Sequence, residues 1–179
     1  IGAYSEKQIM PEEKLVLVPE GISDEVASCI TLKGITAEYL LHRAYPLKKG
    51  DKVLYHAAAG ALGQILCPWA NSIGAEIIGT VGSKEKEEIA KKNGCHHVIN
   101  YTDKDFVKEV EKIVGKNGID VVYDGVGLKT FEGSIEVLKI RGMMVAFGNA
   151  SGYVDTLDIK KDINAKGLFF TRPSIAHYT

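Results

Sequence analysis

The sequence has no concentrated run of positive charge, and this absence bears on the class of partner. Its 179 residues carry 22 lysines and arginines against 23 aspartates and glutamates, for a net charge of −1. Because nucleic-acid binding needs a concentrated basic patch, the composition argues against nucleic acid as the main partner. An apolar content of 45% and a charged content of 25% are typical of a soluble globular domain.

Cysteine is also scarce, and its spacing fits neither a disulfide framework nor a metal site. Cys29, Cys67 and Cys95 are far apart, and no C-x-x-C pair occurs. Zinc sites need clustered Cys and His ligands, whereas His96 and His97 are neighbours on a predicted strand and face opposite sides. We therefore predict no metal site and reduced thiols in a cytoplasmic protein.

Charged residues are missing altogether between residues 53 and 75. An uncharged window of about 20 residues is a candidate membrane span. Gly60, Gly63 and Pro68 interrupt this one, so we predict a buried strand, a tight turn and a buried helix instead. The opening "IGAYSEKQIMPEE" has no signal-peptide pattern and resembles the interior of a protein. We therefore expect the chain to be a piece of a longer one.

A repeating pattern of strands and helices is what the sequence does have. Residues 1–22 are short extended pieces without a core. One helix is predicted to begin at Ser23 as its N-cap, and a second to run from Thr36 to before Pro46. The predicted strands are 52–58, 76–81, 96–100, 119–124, 142–148 and 167–171, and the predicted helices between them are 62–73, 83–93, 105–114 and 130–138. This alternation of apolar strands with helices predicts an α/β fold with a doubly wound, parallel, six-stranded sheet.

The stretch "HAAAGALGQ", residues 56–64, lies between the first of these strands and its helix. Its A-x-G-x-x-G pattern at Ala58, Gly60 and Gly63 is a near match to the dinucleotide fingerprint G-x-G-x-x-G. A pyrophosphate binds at the N-terminus of such a helix, where the backbone must come close and large side chains are excluded. The pattern favours dinucleotide binding. The alternative is a tight turn that serves only helix–strand packing.

The end of the second strand, "GTVGSKEKEE", distinguishes between cofactors. An NAD site uses an acidic residue at this strand tip for the ribose hydroxyls. Position 82 is a glycine here, followed by Ser83, Lys84 and Lys86, which could bind a 2′-phosphate. This indicates NADP(H), and it argues against an S-adenosylmethionine site, which usually has an acid at the same place. The alternative is that the two lysines are only solvated residues at a helix start.

These stretches, together with "VINY", "DVVYDGVG", "GMMVAFGNASG" and "FTRPS", resemble the NADPH:quinone oxidoreductases. These are the zeta-crystallin-like branch of the zinc-free medium-chain dehydrogenase/reductases. The resemblance extends over essentially the whole chain, in the family's order. It implies that residues 1–22 are a remnant of a GroES-like catalytic domain and that 23–179 form the NADP(H)-binding Rossmann domain.

The resemblance also implies roles for individual residues. Pyrophosphate contacts would come from the glycine turn, 2′-phosphate and adenine contacts from the ends of the second and third strands, and adenosine contacts from the loop after the fourth. The nicotinamide would lie against the loop after the fifth strand, the helix before the sheet and the far wall. In that order, the cofactor-binding residues are Gly60, Ala61, Leu62, Gly63, Gly82, Ser83, Lys86, Tyr101, Gly125, Val126, Phe147, Gly148, Asn149, Ser151, Thr36, Tyr39, Pro173 and Ser174.

The activity that the resemblance implies is hydride transfer from nicotinamide C4 of NADPH to a quinone-like acceptor. The sequence offers no general acid, and no catalytic residue is assigned. Two alternatives stay open: an NADPH-binding structural protein of the crystallin kind, and an enone or alkenal reductase of the same family. We expect a homodimer through the sixth-strand edge, no membrane association, and no turnover by this chain alone. Ala61 and Gly125 depart from residues common in the family.

Overall fold

The structure is a computed structural model, and it describes residues 4–178. The chain divides into two compact units, residues 1–31 and 32–179; residues 1–3 and 179 at its ends lie outside the described part. The boundary predicted from the sequence lies earlier, between residues 22 and 23. The assignment of residues 1–22 to a catalytic domain stays a prediction.

The described part of the first unit has no buried residue. It contains a 3₁₀ turn, Glu12–Lys14, and a hydrogen-bonded turn from Pro19 to Ile22, and it ends in the first half of a helix. Apolar side chains such as those of Val16 and Leu17 are exposed. This agrees with the prediction that these residues have no core of their own.

The two helices predicted before the sheet are one continuous helix, α1, Asp24–Tyr39. Ser23 caps it as predicted, because its Oγ accepts the N–H of Val26 at 3.4 Å. The predicted second start at Thr36 was wrong, since its hydroxyl donates to the Leu32 carbonyl one turn earlier and the helix runs through it. A π-helical turn, Leu40–Ala44, follows, and the chain is extended at Tyr45 before Pro46, as predicted.

Six strands form one sheet, and every pair in it is parallel. The strands are β1 (Lys52–His56), β2 (Glu76–Val81), β3 (His97–Asn100), β4 (Ile119–Asp124), β5 (Leu138–Ala146) and β6 (Phe169–Thr171). Their order is β3-β2-β1-β4-β5-β6. The predicted doubly wound sheet is confirmed, and the strand order reverses beside β1, where such folds bind ligands.

The helices between the strands agree with the predicted ranges to within a residue at each end. They are α2 (Gly63–Ile73), α3 (Lys84–Lys92), α4 (Phe106–Val114) and α5 (Phe131–Val137). Pro68 lies inside α2, which continues past it. A π-helical turn, Ile159–Asn164, precedes β6, and a 3₁₀ turn, Ile175–His177, follows it.

Strand β5 differs most from its prediction, because it begins at Leu138 rather than at residue 142. Its pairing with β4 is interrupted, and Arg141 takes a left-handed φ of 59°. Lys166 lies beside this irregularity and donates from Nζ to the carbonyls of Ile135, Glu136 and Leu138 at 2.6–3.2 Å. The ammonium therefore satisfies carbonyl groups that the end of α5 leaves without a helical partner.

Alternate residues of the strands enter two apolar cores, one on each face of the sheet. Tyr55 of β1 packs with Leu66 of α2 on the first face, and Leu54 packs with Val110 of α4 on the second. Strands covered on both faces are apolar throughout, and this is the pattern that made them recognisable in the sequence.

The uncharged window from 53 to 75 forms β1, a turn and α2, as predicted. No helix among the described residues is long and apolar enough to cross a membrane. Cys29 is an exposed free thiol, and Cys67 and Cys95 are buried ones.

Candidate functional site

The glycine turn, residues 57–63, joins β1 to α2 at the carboxyl end of the sheet. The N–H of Ala58 donates to Thr80 O of β2 at 3.0 Å, and that of Gly60 donates to Ala57 O at 2.8 Å. Ala57 has a φ of 60°, a left-handed conformation that costs a residue with a Cβ about 1 kcal/mol. The turn is thus held tightly, in a backbone conformation that its sequence does not favour.

The two glycines of the turn have different reasons to lack a side chain. A Cβ at Gly63 would lie 2.2 Å from the Ala58 carbonyl oxygen, so α2 could not pack against the end of β1. A Cβ at Gly60 would meet only Ala57 O, at 3.0 Å. Gly63 therefore serves helix–strand packing, as the alternative interpretation of the fingerprint predicts, whereas Gly60 keeps the outer surface of the turn bare.

The start of α2 presents free backbone donors to the crevice above the strand ends. In the described part of the chain, the N–H groups of Ala61, Leu62 and Gly63 form no hydrogen bond to another backbone group. No acidic residue lies in the first turn of α2. Such a helix start favours an anion, because its N–H groups and its dipole both point toward the ligand. The donors and the bare turn fit a pyrophosphate.

At the end of β2, Gly82 and Tyr101 come together as the resemblance implied. A Cβ at position 82 would lie 2.7 Å from the Tyr101 hydroxyl. Ser83 is the N-cap of α3 and accepts the N–H of Lys86 at 3.4 Å. Glu85, in the same first turn, was not considered as a neighbour of this site, and a hydrogen bond with Ser83 lowers the pKa of its carboxyl group.

A cavity of about 740 Å³ connects Tyr101 to the loop after β4. Val126 and Ser151 line it as well, and the Ser151 hydroxyl donates to Val126 O at 2.9 Å and accepts the N–H of Lys129 at 3.0 Å. Ser151 was expected beside the nicotinamide with Phe147, but these bonds place it in the cavity with Tyr101. Lys129 and Lys104 also line this cavity.

Five predicted residues from three distant parts of the chain meet around a second cavity, of about 360 Å³. They are Thr36, Tyr39, Phe147, Pro173 and Ser174. The ring of Tyr39 stacks on that of Tyr178, with centroids 4.5 Å apart, and burial raises the pKa of its hydroxyl. This end of the crevice is built from side chains, most of them apolar or aromatic.

Gly125 and Gly148 allow the loops after β4 and β5 to touch. A Cβ at Gly148 would lie 2.4 Å from the carbonyl oxygen of Gly125, and one at Gly125 would lie 2.8 Å from Cζ of Phe147. Phe147 in turn stacks on Tyr55, with ring centroids 6.3 Å apart. The unusual glycine at 125 therefore leaves the space that the Phe147 ring uses.

Arg172 was not among the predicted site residues. It lines both the second cavity and a third one, of about 220 Å³. Its Nη1 donates to Ala146 O at 2.6 Å and its Nη2 to Asn149 Oδ1 at 3.4 Å. Gly148 and Asn149 line the third cavity, on the β6 side of the loop. An arginine in the quoted stretch "FTRPS" was the only available signal for it.

The histidines take part in ordinary hydrogen bonds. His56 is buried and hydrogen-bonded at both ring nitrogens, which is the arrangement of a satisfied core histidine. His96 Nδ1 accepts the N–H of Ile77 at 3.0 Å, and His97 Nε2 lies 3.2 Å from Glu76 Oε1. No cluster of three His, Cys, Asp or Glu side chains that could hold a metal occurs between residues 4 and 178.

Comparison with known proteins places this crevice in a family. The family model described as zinc-binding dehydrogenase matches residues 61–179. The chain is 48% identical to a 2-haloacrylate reductase of a Burkholderia species and 44% identical to quinone oxidoreductase 1 of Escherichia coli K12, in each case over 99% of its own length and 54% of the relative.

Superposition on solved structures leads to the same group of proteins as the sequence comparison. A crystal structure of a 2-haloacrylate reductase superimposes with a TM-score of 0.95 at 47% identity, over 99% of this chain and 56% of the other. That of Escherichia coli quinone oxidoreductase complexed with NADPH gives a TM-score of 0.87 at 44% identity, over 91% and 50%. The chain thus spans about half the length of the relatives that it matches. It belongs to the zinc-binding dehydrogenase family and corresponds to the Rossmann part of its quinone oxidoreductases.

Proposed function

We propose that the chain is the cofactor-binding part of an NADPH-dependent reductase of quinones. The observation that carries this is the β2 tip, which offers Gly82, the Ser83 hydroxyl and two lysines where an NAD site has an acid. The bare glycine turn with its free N–H groups supports it further. Relatives at 44% and 41% identity have been crystallised with NADPH.

The residues of this chain would bind and orient the cofactor, which supplies a hydride from nicotinamide C4 when it is bound. Ala61, Leu62 and Gly63 would donate to the pyrophosphate. Ser83 and Lys86 would hold the 2′-phosphate, and Tyr101 would lie beside the adenine. The resemblance implied these roles. The residues assigned to the pyrophosphate and to the 2′-phosphate have the hydrogen-bond donors that the roles require.

The other end of the crevice would orient the nicotinamide and exclude water from it. Thr36 and Tyr39 of α1 face Phe147 across the second cavity, and Pro173 and Ser174 close its far wall. Holding the reacting ring against an acceptor lowers the entropic part of the barrier, a task that requires no acid or base from these residues. We expect the acceptor to be bound with residues outside this chain, so this chain alone would not turn over.

A second candidate function is reduction of an activated alkene. The relative at 48% identity is named a 2-haloacrylate reductase, and its structure superimposes with a TM-score of 0.95. A quinone and a haloacrylate are both electron-poor acceptors of hydride, so the same cofactor site serves either. A structural NADPH-binding protein is the remaining alternative, and turnover separates it from both reductases.

We also propose that the protein is a cytoplasmic homodimer that pairs through β6. The three free thiols suit a reducing compartment. Strand β6 is at the edge of the sheet, and Phe169 on it is 53% exposed. Pairing of two such edges would cover the unpaired backbone groups and this ring.

The first experiment is a pair of titrations with NADPH and NADH, followed by quenching of Trp69 fluorescence. We expect NADPH to bind at least about tenfold more tightly, which is about 1.4 kcal/mol. Lys86→Ala should shrink this preference, whereas Lys92→Ala, which removes the same charge at the far end of α3, should not. Equal binding of both cofactors by all three proteins would contradict the proposal.

Turnover is the second experiment, and it requires the full-length protein that contains this chain. NADPH oxidation would be measured with a benzoquinone and with 2-chloroacrylate. Faster oxidation with the quinone supports the first candidate, and faster oxidation with the haloacrylate supports the second. Tight NADPH binding without turnover on either acceptor would favour the structural role.

A further inference from the structure

Five buried polar side chains form a continuous chain of hydrogen bonds beneath the crevice. His56 of β1 lies at its centre, with Nδ1 at 2.9 Å from Thr80 Oγ1 of β2 and Nε2 at 2.9 Å from Ser134 Oγ of α5. Asp124 at the end of β4 accepts from Ser134 Oγ at 3.2 Å and from Thr130 Oγ1 at 2.7 Å. We refer to these five residues as the relay. Each is less than 9% exposed, and His56 and Asp124 are at most 1% exposed.

The direction of the bonds determines the tautomer of His56. Ser134 uses its only proton to donate to Asp124, so it must accept from Nε2–H of His56. Nδ1 is then the acceptor for the Thr80 hydroxyl. Burial lowers the pKa of His56, an effect that the Asp124 charge partly opposes, and this agrees with a neutral ring.

The relay also reaches the backbone of both loops that border the crevice. Asp124 Oδ1 accepts the N–H of Val126 at 2.7 Å and that of Gly127 at 2.9 Å. At the other end, the carbonyl of Thr80 accepts the N–H of Ala58, in the glycine turn. The relay thus connects the turn after β1, the tip of β2 and the loop after β4.

A buried network of this kind needs a reason, because apolar side chains would fill the same space without the cost of desolvating a carboxylate. Its members are fully satisfied, and a satisfied network fixes one arrangement where an apolar core would tolerate several. Phe106 packs edge-on to the His56 ring, with centroids 5.1 Å apart. The arrangement that is fixed is the relation of the glycine turn to the loop after β4.

We propose that His56 is a positioning residue for the dinucleotide: through Ser134 and Asp124 it sets the separation of the glycine turn and the loop at 125–127, between which the adenosine half of the cofactor binds. This rests on the proposed function. His56 itself touches no ligand, since it lies buried below the crevice. Its effect on affinity is transmitted by Val126 and Gly127, whose N–H groups Asp124 holds.

Two variants that differ by one methylene group test this. The amide of Gln reaches the position of Nε2, so His56→Gln keeps the bond to Ser134 and loses that to Thr80. The amide of Asn reaches only the position of Nδ1, so His56→Asn keeps the bond to Thr80 and loses that to Ser134. Each variant leaves one buried partner unpaired, and we expect similar losses in melting temperature for the two.

The affinity for NADPH is then measured well below both melting temperatures. We expect His56→Asn to weaken NADPH binding about tenfold, and His56→Gln to stay within about threefold of the native chain. A purely structural histidine would give two equal affinities. Equal affinities in the two variants would overturn the proposal.

Native-state exchange of the Val126 and Gly127 amide protons gives a readout that does not depend on NADPH. Faster exchange of both in His56→Asn, but not in His56→Gln, is expected. If the full-length protein that contains this chain fails to bind NADPH while this exchange pattern appears, the proposed function is wrong and the positioning of the loop stands. Unchanged exchange in both variants, or an Nδ1–H tautomer of His56 in ¹⁵N NMR spectra of the native chain, would refute the relay.

Discussion

The two ends of the crevice are built in opposite ways. At the proposed phosphate end the site consists largely of backbone: Gly60 keeps the surface of the turn bare, Gly82 leaves room for the Tyr101 hydroxyl, and the first N–H groups of α2 have no backbone partner. At the proposed nicotinamide end the site consists of side chains, among them Tyr39 and Phe147, brought together from distant parts of the chain. The phosphate end is therefore sensitive to added atoms, and the nicotinamide end to removed ones.

Adding one methyl group at Gly63 should give the largest effect. In Gly63→Ala the new Cβ would lie 2.2 Å from a backbone oxygen of the same turn, so β1 and α2 must move apart. We expect a loss of about 3 kcal/mol in the free energy of unfolding, measured by urea denaturation, together with loss of NADPH binding.

Gly34→Ala is the matched control. Nothing lies within 4 Å of a Cβ at this position in α1, so the same change should stabilise the chain by up to about 1 kcal/mol. If Gly63→Ala were as stable as the native chain, the explanation of that glycine by packing would be wrong.

Removing the Phe147 ring should affect only the nicotinamide end. In Phe147→Ala the second cavity loses one wall, and we expect NADPH binding to weaken about fivefold, a loss of about 1 kcal/mol. Adenosine 2′,5′-bisphosphate, which has only the phosphate half of the cofactor, should bind as it does to the native chain. Isothermal titration of both ligands measures this, and equal weakening of the two would show that the ends are not independent.

A smaller effect is expected at Glu85, which carries an acidic group next to Ser83. In Glu85→Gln the repulsion of a 2′-phosphate is removed, so NADPH should bind about two- to threefold more tightly, with NADH unchanged. The side chain is exposed, so the gain should disappear at high salt. Tighter binding of NADH as well would argue against a 2′-phosphate at this place.

The smallest effect is on the pH dependence of stability. Burial lowers the pKa of His56 from its ordinary value of 6.5, so the unfolded chain takes up a proton more readily than the folded one below that pH. The contribution of the neutral ring to the free energy of unfolding is therefore fully present above pH 6.5. It is lost as the pH falls from 6.5 to the pKa of His56 in the folded chain. His56→Gln should flatten this part of the curve of unfolding free energy against pH. Parallel curves for the two proteins would contradict a neutral buried ring.

The contrast between the two ends also explains how much of the molecule could be predicted. Strands buried on both faces appear in the sequence as apolar runs, and the bare turn appears as Gly60 and Gly63, so the fold and the phosphate end follow from local patterns. The surroundings of Ser151 could not be predicted in this way, because its position depends on hydrogen bonds to Val126 and Lys129, which no local pattern reveals.

The same reason applies to the features that the sequence did not reveal. The relay joins residues that are 24 and 78 positions apart in the chain, and each of its members alone looks like an ordinary polar residue. The single helix α1 was divided in two because Thr36 resembles an N-cap, whereas its hydroxyl bonds back to Leu32 within the helix. Arg172 gave no signal beyond its place in a quoted motif.

The contact between Gly125 and Phe147 has an evolutionary consequence. A side chain at position 125 would approach to 2.8 Å of the ring, so the two positions constrain each other. A serine gained at 125 would clash with the Phe147 ring in its present orientation. A smaller residue substituted at 147 beforehand would remove that clash. A side chain at 125 therefore requires the Phe147 ring to shift, so we expect the two positions to change together among relatives.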